Sequence, residues 1–366
     1  MKVLLVVHDL SLTGAPRVIL DLFEGFGRAI ELRVLALRGG PLSSRLSKTD
    51  WREISALIGP QPRRPDRKLK LLRQRNSVKS WMANFAPDVV YINSAASLPV
   101  LNQDLLPLAP VLFHAHEMGF VLNEYVRPVR EQFLSLPAKY VTVSQAAAND
   151  LLRLGVDESK VEIINACIPF ESWTPKPRKE AHPVVGGAGL PQWRKGVDLW
   201  LLAAKEVATR LDGKVKFRWV GYADDYDSWT AKEKSKILGL EKVVEWIPLC
   251  ENPGDHYQAF DIFLMTSWED PCPLVVLENM ALEKPVIAFP DGGGAAEELG
   301  ETGVLTSRRN VHEMADKVCE LLADPEGAKR LGEAARLRVQ EHFTVEKLAP
   351  RLLEAVRTTA QSRDRR

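Results

Sequence analysis

Residues 266–298 read TSWEDPCPLVVLENMALEKPVIAFPDGGGAAEE. An apolar run, Ile262 to Met265, enters this stretch with strand character and breaks at Thr266-Ser267-Trp268-Glu269-Asp270. Pro271 and Pro273 bracket Cys272, Leu274 to Leu282 reads as a buried helix, and Pro285 to Phe289 as the next strand. Strand, loop, helix and strand in that order form the building unit of a parallel sheet, so the stretch predicts an α/β fold.

Asp270 and Glu278 are the informative residues within it. Asp270 lies in the loop at the strand's carboxyl end, the edge at which open α/β sheets bind ligands. The free amides of Leu274 and Val275, at the start of the helix, together with the helix dipole, form a natural phosphate site. Glu278 follows inside an otherwise apolar helix, where a carboxylate needs hydrogen-bonding partners, and a ribose diol would supply two hydroxyls. On spacing alone the simpler reading is favoured: Asp270 caps the helix and Glu278 is solvated on a half-exposed face.

A resemblance reverses that preference. The stretch resembles the signature of the retaining, nucleotide-sugar-dependent glycosyltransferases of group 1, family 4. Those carry an acidic residue, seven intervening residues and a glutamate, then a Pro-Val-Ile strand and a Gly-Gly turn. Asp270 and Glu278 have that spacing, Pro285-Val286-Ile287-Ala288 follows, and Gly292-Gly293-Gly294 closes the unit. The first acid is Asp here in place of the usual Glu, and Glu269 is one residue out of register. The resemblance implies the GT-B architecture: two Rossmann-like parallel-sheet domains facing a central cleft that holds the active site.

Length and composition agree with two domains. The chain has 366 residues, 45% of them hydrophobic, enough for two full cores. Lys plus Arg number 49 against 48 Asp plus Glu, so the net charge of +1 gives no field for nucleic acid. Cys167, Cys250, Cys272 and Cys319 are scattered without CxxC spacing, which argues against disulfides or a zinc site and fits a reducing cytoplasm. The opening MKVLLVVHDL reads as a first β-strand, too short for a signal peptide or membrane span.

Upstream, Val3 to Val7 reads as a central strand, and its loop leads through Gly14 into an amphipathic helix bearing Val18, Ile19, Leu22, Phe23 and Phe26. A lone glycine is a turn residue or a place where a ligand meets backbone. The resemblance puts a glycine-rich turn here, facing the cleft. No G-x-G-x-x-G follows the strand, which argues against a dinucleotide-dependent oxidoreductase. Arg63 to Lys79 is strongly basic, with Leu69, Leu72, Trp81, Met82 and Phe85 on one helical stripe. The simpler reading is a solvated helix packed on the sheet; the sharper one is a surface for an anionic membrane or acceptor. Asp88 to Asn93 and Val111 to Phe113 are further strands, the second running into His114-Ala115-His116-Glu117. A lone histidine is seldom functional, but the resemblance puts one in this loop near the donor sugar, which singles out His116.

Ser144 reads as the cap of a helix that ends near Gly155. The Pro-rich, charged stretch from Pro169 to Pro183 reads as a linker. The expected domains are therefore residues 1–168, completed by a terminal helix within 344–366, and residues 183–343. In the second domain, Arg194-Lys195 lies in a loop between strand and helix, where it could neutralise a departing diphosphate. The family has a Lys-Gly-x-Asp here, matched by Lys195-Gly196-Val197-Asp198, but its arginine stands where this chain has Leu190. Asp225-Tyr226-Asp227 reads as a solvated acidic turn rather than a metal site. Pro248-Leu249-Cys250 lies where the family's nucleobase stacks, and Glu297 or Glu298 matches its glutamate beyond the Gly-Gly turn.

The resemblance thus implies a hexosyltransferase acting on a UDP- or GDP-linked sugar and a saccharide or lipid-linked acceptor. It implies retention of configuration and a need for neither metal nor cofactor, in bacterial-type cell-surface polysaccharide or glycolipid synthesis. Asp270 and His116 would attend the sugar; Glu278, Lys195, Arg194, Leu274, Val275, Gly14 and residues 248–250 would bind the nucleotide portion. The expected location is the cytoplasm, with peripheral membrane contact through Arg63 to Lys79. The rival readings are a non-catalytic nucleotide- or sugar-binding protein, and an epimerase or phosphorylase on the same fold.

Overall fold

The computed structural model describes residues 1–58, 65–103, 105–106, 108–177 and 180–362. It divides into two compact units, Met1–Asn165 with Val345–Arg366, and Ala166–Thr344.

The first unit is built on seven parallel strands: β1 (Lys2–Val7), β2 (Glu31–Ala36), β3 (Asp50–Glu53), β4 (Val89–Asn93), β5 (Val111–Ala115), β6 (Pro137–Thr142) and β7 (Val161–Ile163). They are ordered β3-β2-β1-β4-β5-β6-β7. Val3 to Val7 is buried on both faces, as a continuous apolar run in a covered parallel strand must be. The Gly14–Gly25 helix sets Val18, Ile19, Leu22 and Phe23 into the core. Ser144 caps the Gln145–Arg153 helix by accepting from the Ala147 amide at 3.2 Å, and Gly155 follows with φ +98°.

The Pro65–Phe85 helix buries Val78, Trp81, Met82 and Phe85, so its second half lies on the sheet as expected. Leu72, expected on the same stripe, is instead 52% exposed; Leu71 takes the inward position. Arg63 and Arg64 of the basic stretch lie outside the described residues. The chain's last helix, Val345–Gln361, belongs to this unit and buries Leu348, Leu352 and Val356.

The second unit carries six parallel strands: β8 (Val184–Ala188), β9 (Lys216–Tyr222), β10 (Val244–Pro248), β11 (Ile262–Met265), β12 (Val286–Ala288) and β13 (Val304–Leu305). Their order is β10-β9-β8-β11-β12-β13. In both sheets the first strand sits inside, and the order reverses beside it, between β1 and β4 and between β8 and β11. These reversals are the topological switch points, where loops at the strands' carboxyl ends diverge and leave a crevice for ligand.

Pro169 to Pro183, expected to be a linker, begins as part of this unit's core. Phe170 and Trp173 are buried, Trp173 stacks on Tyr257, and Arg336 lies 4.4 Å over Phe170 while donating to the Trp173 carbonyl. Two aromatic side chains outweigh the prolines around them. Residues 178–179 of this stretch lie outside the described residues.

Candidate functional site

At the switch point of the second unit, the loop after β8 meets the loop after β11. Trp193–Lys195 forms one 3-10 turn, ended by Gly196 in the left-handed region (φ +61°). A side chain at Gly196 would place its Cβ 1.9 Å from the Thr266 carbonyl oxygen, so the two loops touch backbone to backbone there. The Trp268 amide donates to the Arg194 carbonyl at 2.7 Å, fastening the loops together. Asp270 is held on the other side: its amide donates to the Gly292 carbonyl, and its own carbonyl accepts from the Gly294 amide, both at 2.9 Å. Gly292 permits this, since a Cβ there would stand 2.8 Å from the Ser267 carbonyl oxygen.

The outcome is a buried ion pair. Lys195 Nζ donates to Asp270 Oδ2 at 2.5 Å, and both side chains are largely out of water. Burial lowers the ammonium's pKa, and Asp270 works against that shift. Glu278 also acts to raise it, while the guanidinium of Arg194 acts to lower it, so all four charges belong to one electrostatic neighbourhood. The expected diphosphate-binding lysine and sugar-binding acid are here each other's partner. Asp270 does not cap the following helix, whose cap position is Pro273. Glu278 is 1% exposed on the Leu274–Ala281 helix, which removes the solvated reading of it. The amides of Leu274 and Val275 open that helix, with no carbonyl four residues back inside it to bind.

Glu298, not Glu297, is the fully buried residue beyond the glycine run. Cys272 Sγ donates to Glu298 Oε1 at 3.0 Å, and the Ala166 amide donates to the same sulfur at 3.3 Å. Burial pushes the Glu298 carboxyl well above the usual range, with Asp270's charge adding to the effect. Burial likewise raises the Cys272 thiol.

Of residues 248–250, Cys250 packs against the same hydrophobic core as Leu274 and Val275. Pro248 ends the edge strand β10, two strands from β8, and Leu249 and Cys250 follow it. The Leu249 amide already donates to the Tyr222 carbonyl at 2.7 Å, and its side chain is 55% exposed. Asp225 caps the Tyr226–Ile237 helix by accepting from the Ser228 amide at 2.8 Å, so half of the D-x-D has a structural use.

In the first unit, the carboxyl ends of β1, β4 and β5 gather three histidines. His8 follows β1, His114 lies within β5 rather than in the loop after it, and His116 follows β5. The rings of His114 and His116 are 4.1 Å apart. Tyr91 OH and His114 Nδ1 share a hydrogen bond of 2.5 Å. Asn93 Nδ2 donates to the Ala15 carbonyl, which turns its Oδ1 toward His116 Nε2 at 3.0 Å. His116 therefore carries its proton on Nε2. Burial holds its pKa down at about 3, so the ring is neutral. Gly14 begins the helix that supplies the Ala15 carbonyl, and it is exposed there.

Asn93 and Glu117 are the residues that sequence reasoning missed. Glu117 accepts from the Ala95 amide at 2.7 Å and from the Ser94 hydroxyl, tying the loops after β4 and β5. A polar residue ending an apolar strand was the available signal for Asn93. For Glu117 there was none, because its partners lie in another loop.

Known proteins carry the same two-part organisation. A family model described as Glycosyltransferase Family 4 matches residues 12–171, and one described as Glycosyl transferases group 1 matches residues 182–324. The D-inositol 3-phosphate glycosyltransferase of Kribbella flavida is 27% identical over 253 residues, 63% of this chain and 59% of that protein. Sulfoquinovosyl transferase SQD2 of Arabidopsis thaliana is 25% identical over 289 residues, 72% of this chain and 55% of that protein. The chain thus spans little more than half the length of these two curated relatives. Among solved structures, Anabaena HepE in complex with UDP and glucose aligns with a TM-score of 0.82 at 19% identity, covering 98% of this chain and 100% of that one. Sucrose-phosphate synthase of Thermosynechococcus elongatus aligns at 0.81 and 19%, covering 99% and 100%. The chain belongs to the group 1, family 4 glycosyltransferases and has their GT-B fold of two parallel-sheet α/β units.

Proposed function

We propose that the protein transfers a hexose from a nucleoside diphosphate to a hydroxyl of a saccharide or lipid-linked acceptor, with retention and without a metal. The observation that carries this reading is the buried Lys195–Asp270 pair beside Glu278 at the switch point. One side chain there can meet a diphosphate, one a sugar, and one a ribose.

In this reading Glu278 accepts hydrogen bonds from the ribose diol. Lys195 turns from Asp270 to the diphosphate, joined by Arg194 and by the amides of Leu274 and Val275, and steadies the negative charge that grows on the leaving group. Asp270, released, orients the sugar hydroxyls. His116 contacts the sugar through a neutral ring; this role, with that of Gly14, rests on the family resemblance. Uridine is the first nucleobase to test, since HepE was solved with UDP and with UDP-glucose. The acceptor remains a class: the names of curated relatives include an inositol phosphate and a diacylglycerol glycolipid.

Calorimetric titration with UDP, GDP and ADP, with and without magnesium, tests the donor site. We expect one nucleotide to bind tightly and magnesium to make no difference. Glu278→Ala should weaken that nucleotide at least about tenfold, as expected for losing hydrogen bonds to a charged group. Binding of none, or equal binding by Glu278→Ala, overturns the assignment. Binding without transfer to any acceptor, or release of the sugar, would favour a non-catalytic binder. Contact with anionic membrane through the Pro65–Phe85 helix, where Lys70, Leu72 and Arg73 are exposed, is tested by salt-dependent sedimentation with anionic liposomes. Among the described residues no helix is long and apolar enough to cross a membrane.

A further inference from the structure

Beside the donor-site loops the second unit has a recess of about 210 Å³ that the reading above does not use. It opens where the Val197–Arg210 and Tyr226–Ile237 helices begin, beyond the carboxyl ends of β8 and β9. Its walls carry two tryptophans, Trp193 and Trp268, and the polar side chains of Asp198, Asp227, Thr230 and Lys234.

The tryptophans are unusual in their exposure, 54% for Trp193 and 39% for Trp268, since indoles contribute most when covered. Trp268 is locked in place. The Arg309 guanidinium lies 4.3 Å over its ring and is itself tied to Asp291 and to the Ser267 carbonyl. Among the described residues, the side chains of Asp198, Asp227 and Lys234 make no hydrogen bond or ion pair. An apolar ring surface and several charged groups with unused hydrogen-bonding capacity therefore converge on one small recess.

We propose that this recess is a saccharide-binding site that takes one neutral pyranose ring. The apolar C–H face of a pyranose matches an indole, while its hydroxyls suit carboxylates and an ammonium. Two carboxylates against one ammonium disfavour a phosphorylated or otherwise anionic ring. The volume admits one ring, not a nucleotide. Because Trp193 stands two residues before Lys195 and Trp268 two before Asp270, the site shares its loops with the donor site. It is suited to holding a glycan that the enzyme extends. The choice of a saccharide among ring-shaped ligands rests on the glycosyltransferase reading.

Saturation-transfer difference NMR with the methyl pyranosides of glucose, galactose, mannose and N-acetylglucosamine tests it on the full chain. At least one glycoside should receive saturation. Trp193→Ala and Asp227→Ala should each weaken its binding at least about fivefold, the scale of losing one stacking or charged contact. Lys195→Met and saturating UDP should leave it unchanged. No transfer to any glycoside, or transfer untouched by both recess variants, overturns the proposal. So does displacement by UDP, which would make the recess part of the donor site. The uridine protons of UDP report the donor site separately in the same sample. Loss of their signal with glycoside signal intact would sink the nucleotide reading while leaving this one standing.

Discussion

Lys195 is held by Asp270 before any phosphate reaches it, and that competition sets the expected behaviour of both residues. Lys195→Met should weaken nucleoside diphosphate binding by roughly 1.5–3 kcal/mol, the span for hydrogen bonds to charged groups. Asp270→Asn should not weaken it, and should strengthen it if the ion pair must open first. Turnover of the Asp270→Asn variant should nevertheless drop by about 10² or more. Calorimetry and a transfer assay separate these outcomes; a parallel loss of nucleotide affinity in both variants would contradict the competition. Acid gives a second test. His114 and His116 are held neutral by burial, His116 at about 3, whereas both would titrate near 6.5 in the unfolded chain. Below about pH 6.5 the unfolded state therefore binds protons that the folded state refuses. The contribution of His116 to stability is complete above about pH 6.5 and is lost as pH falls towards 3, at up to about 1.4 kcal/mol per unit, and His114 acts in the same direction. Tm measured from pH 7.5 to 4.5 should fall less steeply in His116→Gln than in the wild type; parallel curves would remove the effect. At this scale the sequence showed Asp270, Glu278 and Lys195, because motif spacing survives in one dimension. It did not show that Lys195 and Asp270 touch, since 75 residues separate them. It did not show Asn93 either, whose importance lies in which histidine it faces.

Elements built from continuous apolar runs were legible, and those built from contacts were not. Val3 to Val7, Ile262 to Met265 and the helix after Pro273 follow directly from pattern. β3, Asp50–Glu53, does not: it is a polar edge strand, and Asp50 accepts from Trp81 Nε1 while Arg52 lies 5.1 Å from the Trp81 ring. Trp81, on a helix far along the chain, supplies what this strand's own sequence lacks. The loop at Gly196 shows the same dependence. In the sequence Gly196 is only a member of the Lys195-Gly196-Val197-Asp198 match, yet the Thr266 carbonyl leaves no room there for a side chain. Gly196→Ala should therefore force the Lys195 and Asp270 loops apart, lower Tm by several degrees, and abolish nucleotide binding. A variant with wild-type Tm and affinity would show that the loops can yield without cost.

At the scale of the whole molecule, two α/β units were legible from alternating strands and helices, and their matching strand orders confirm the parallel-sheet reading. The origin of the second unit at Ala166 was not, because Phe170 and Trp173 sit in a stretch whose prolines and charges resemble a tether. The discontinuity of the first unit makes a prediction of its own. A chain ending at Thr344 keeps the second unit whole but strips the first of the helix that buries Leu348, Leu352 and Val356. Limited proteolysis of that truncation should leave a resistant fragment near residues 166–344 and digest the remainder. Resistance of both halves would mean that the helix is dispensable.

The placement of that helix also fixes an order of events at the ribosome. The first unit cannot finish its core until Val345–Gln361 has been made, because Ala349 packs against the position of Gly25, more than three hundred residues earlier in the chain. The second unit has all its residues in one uninterrupted run, so it can be complete while the first, although made earlier, still waits for its closing piece. Birth order and completion order of the two units are therefore reversed.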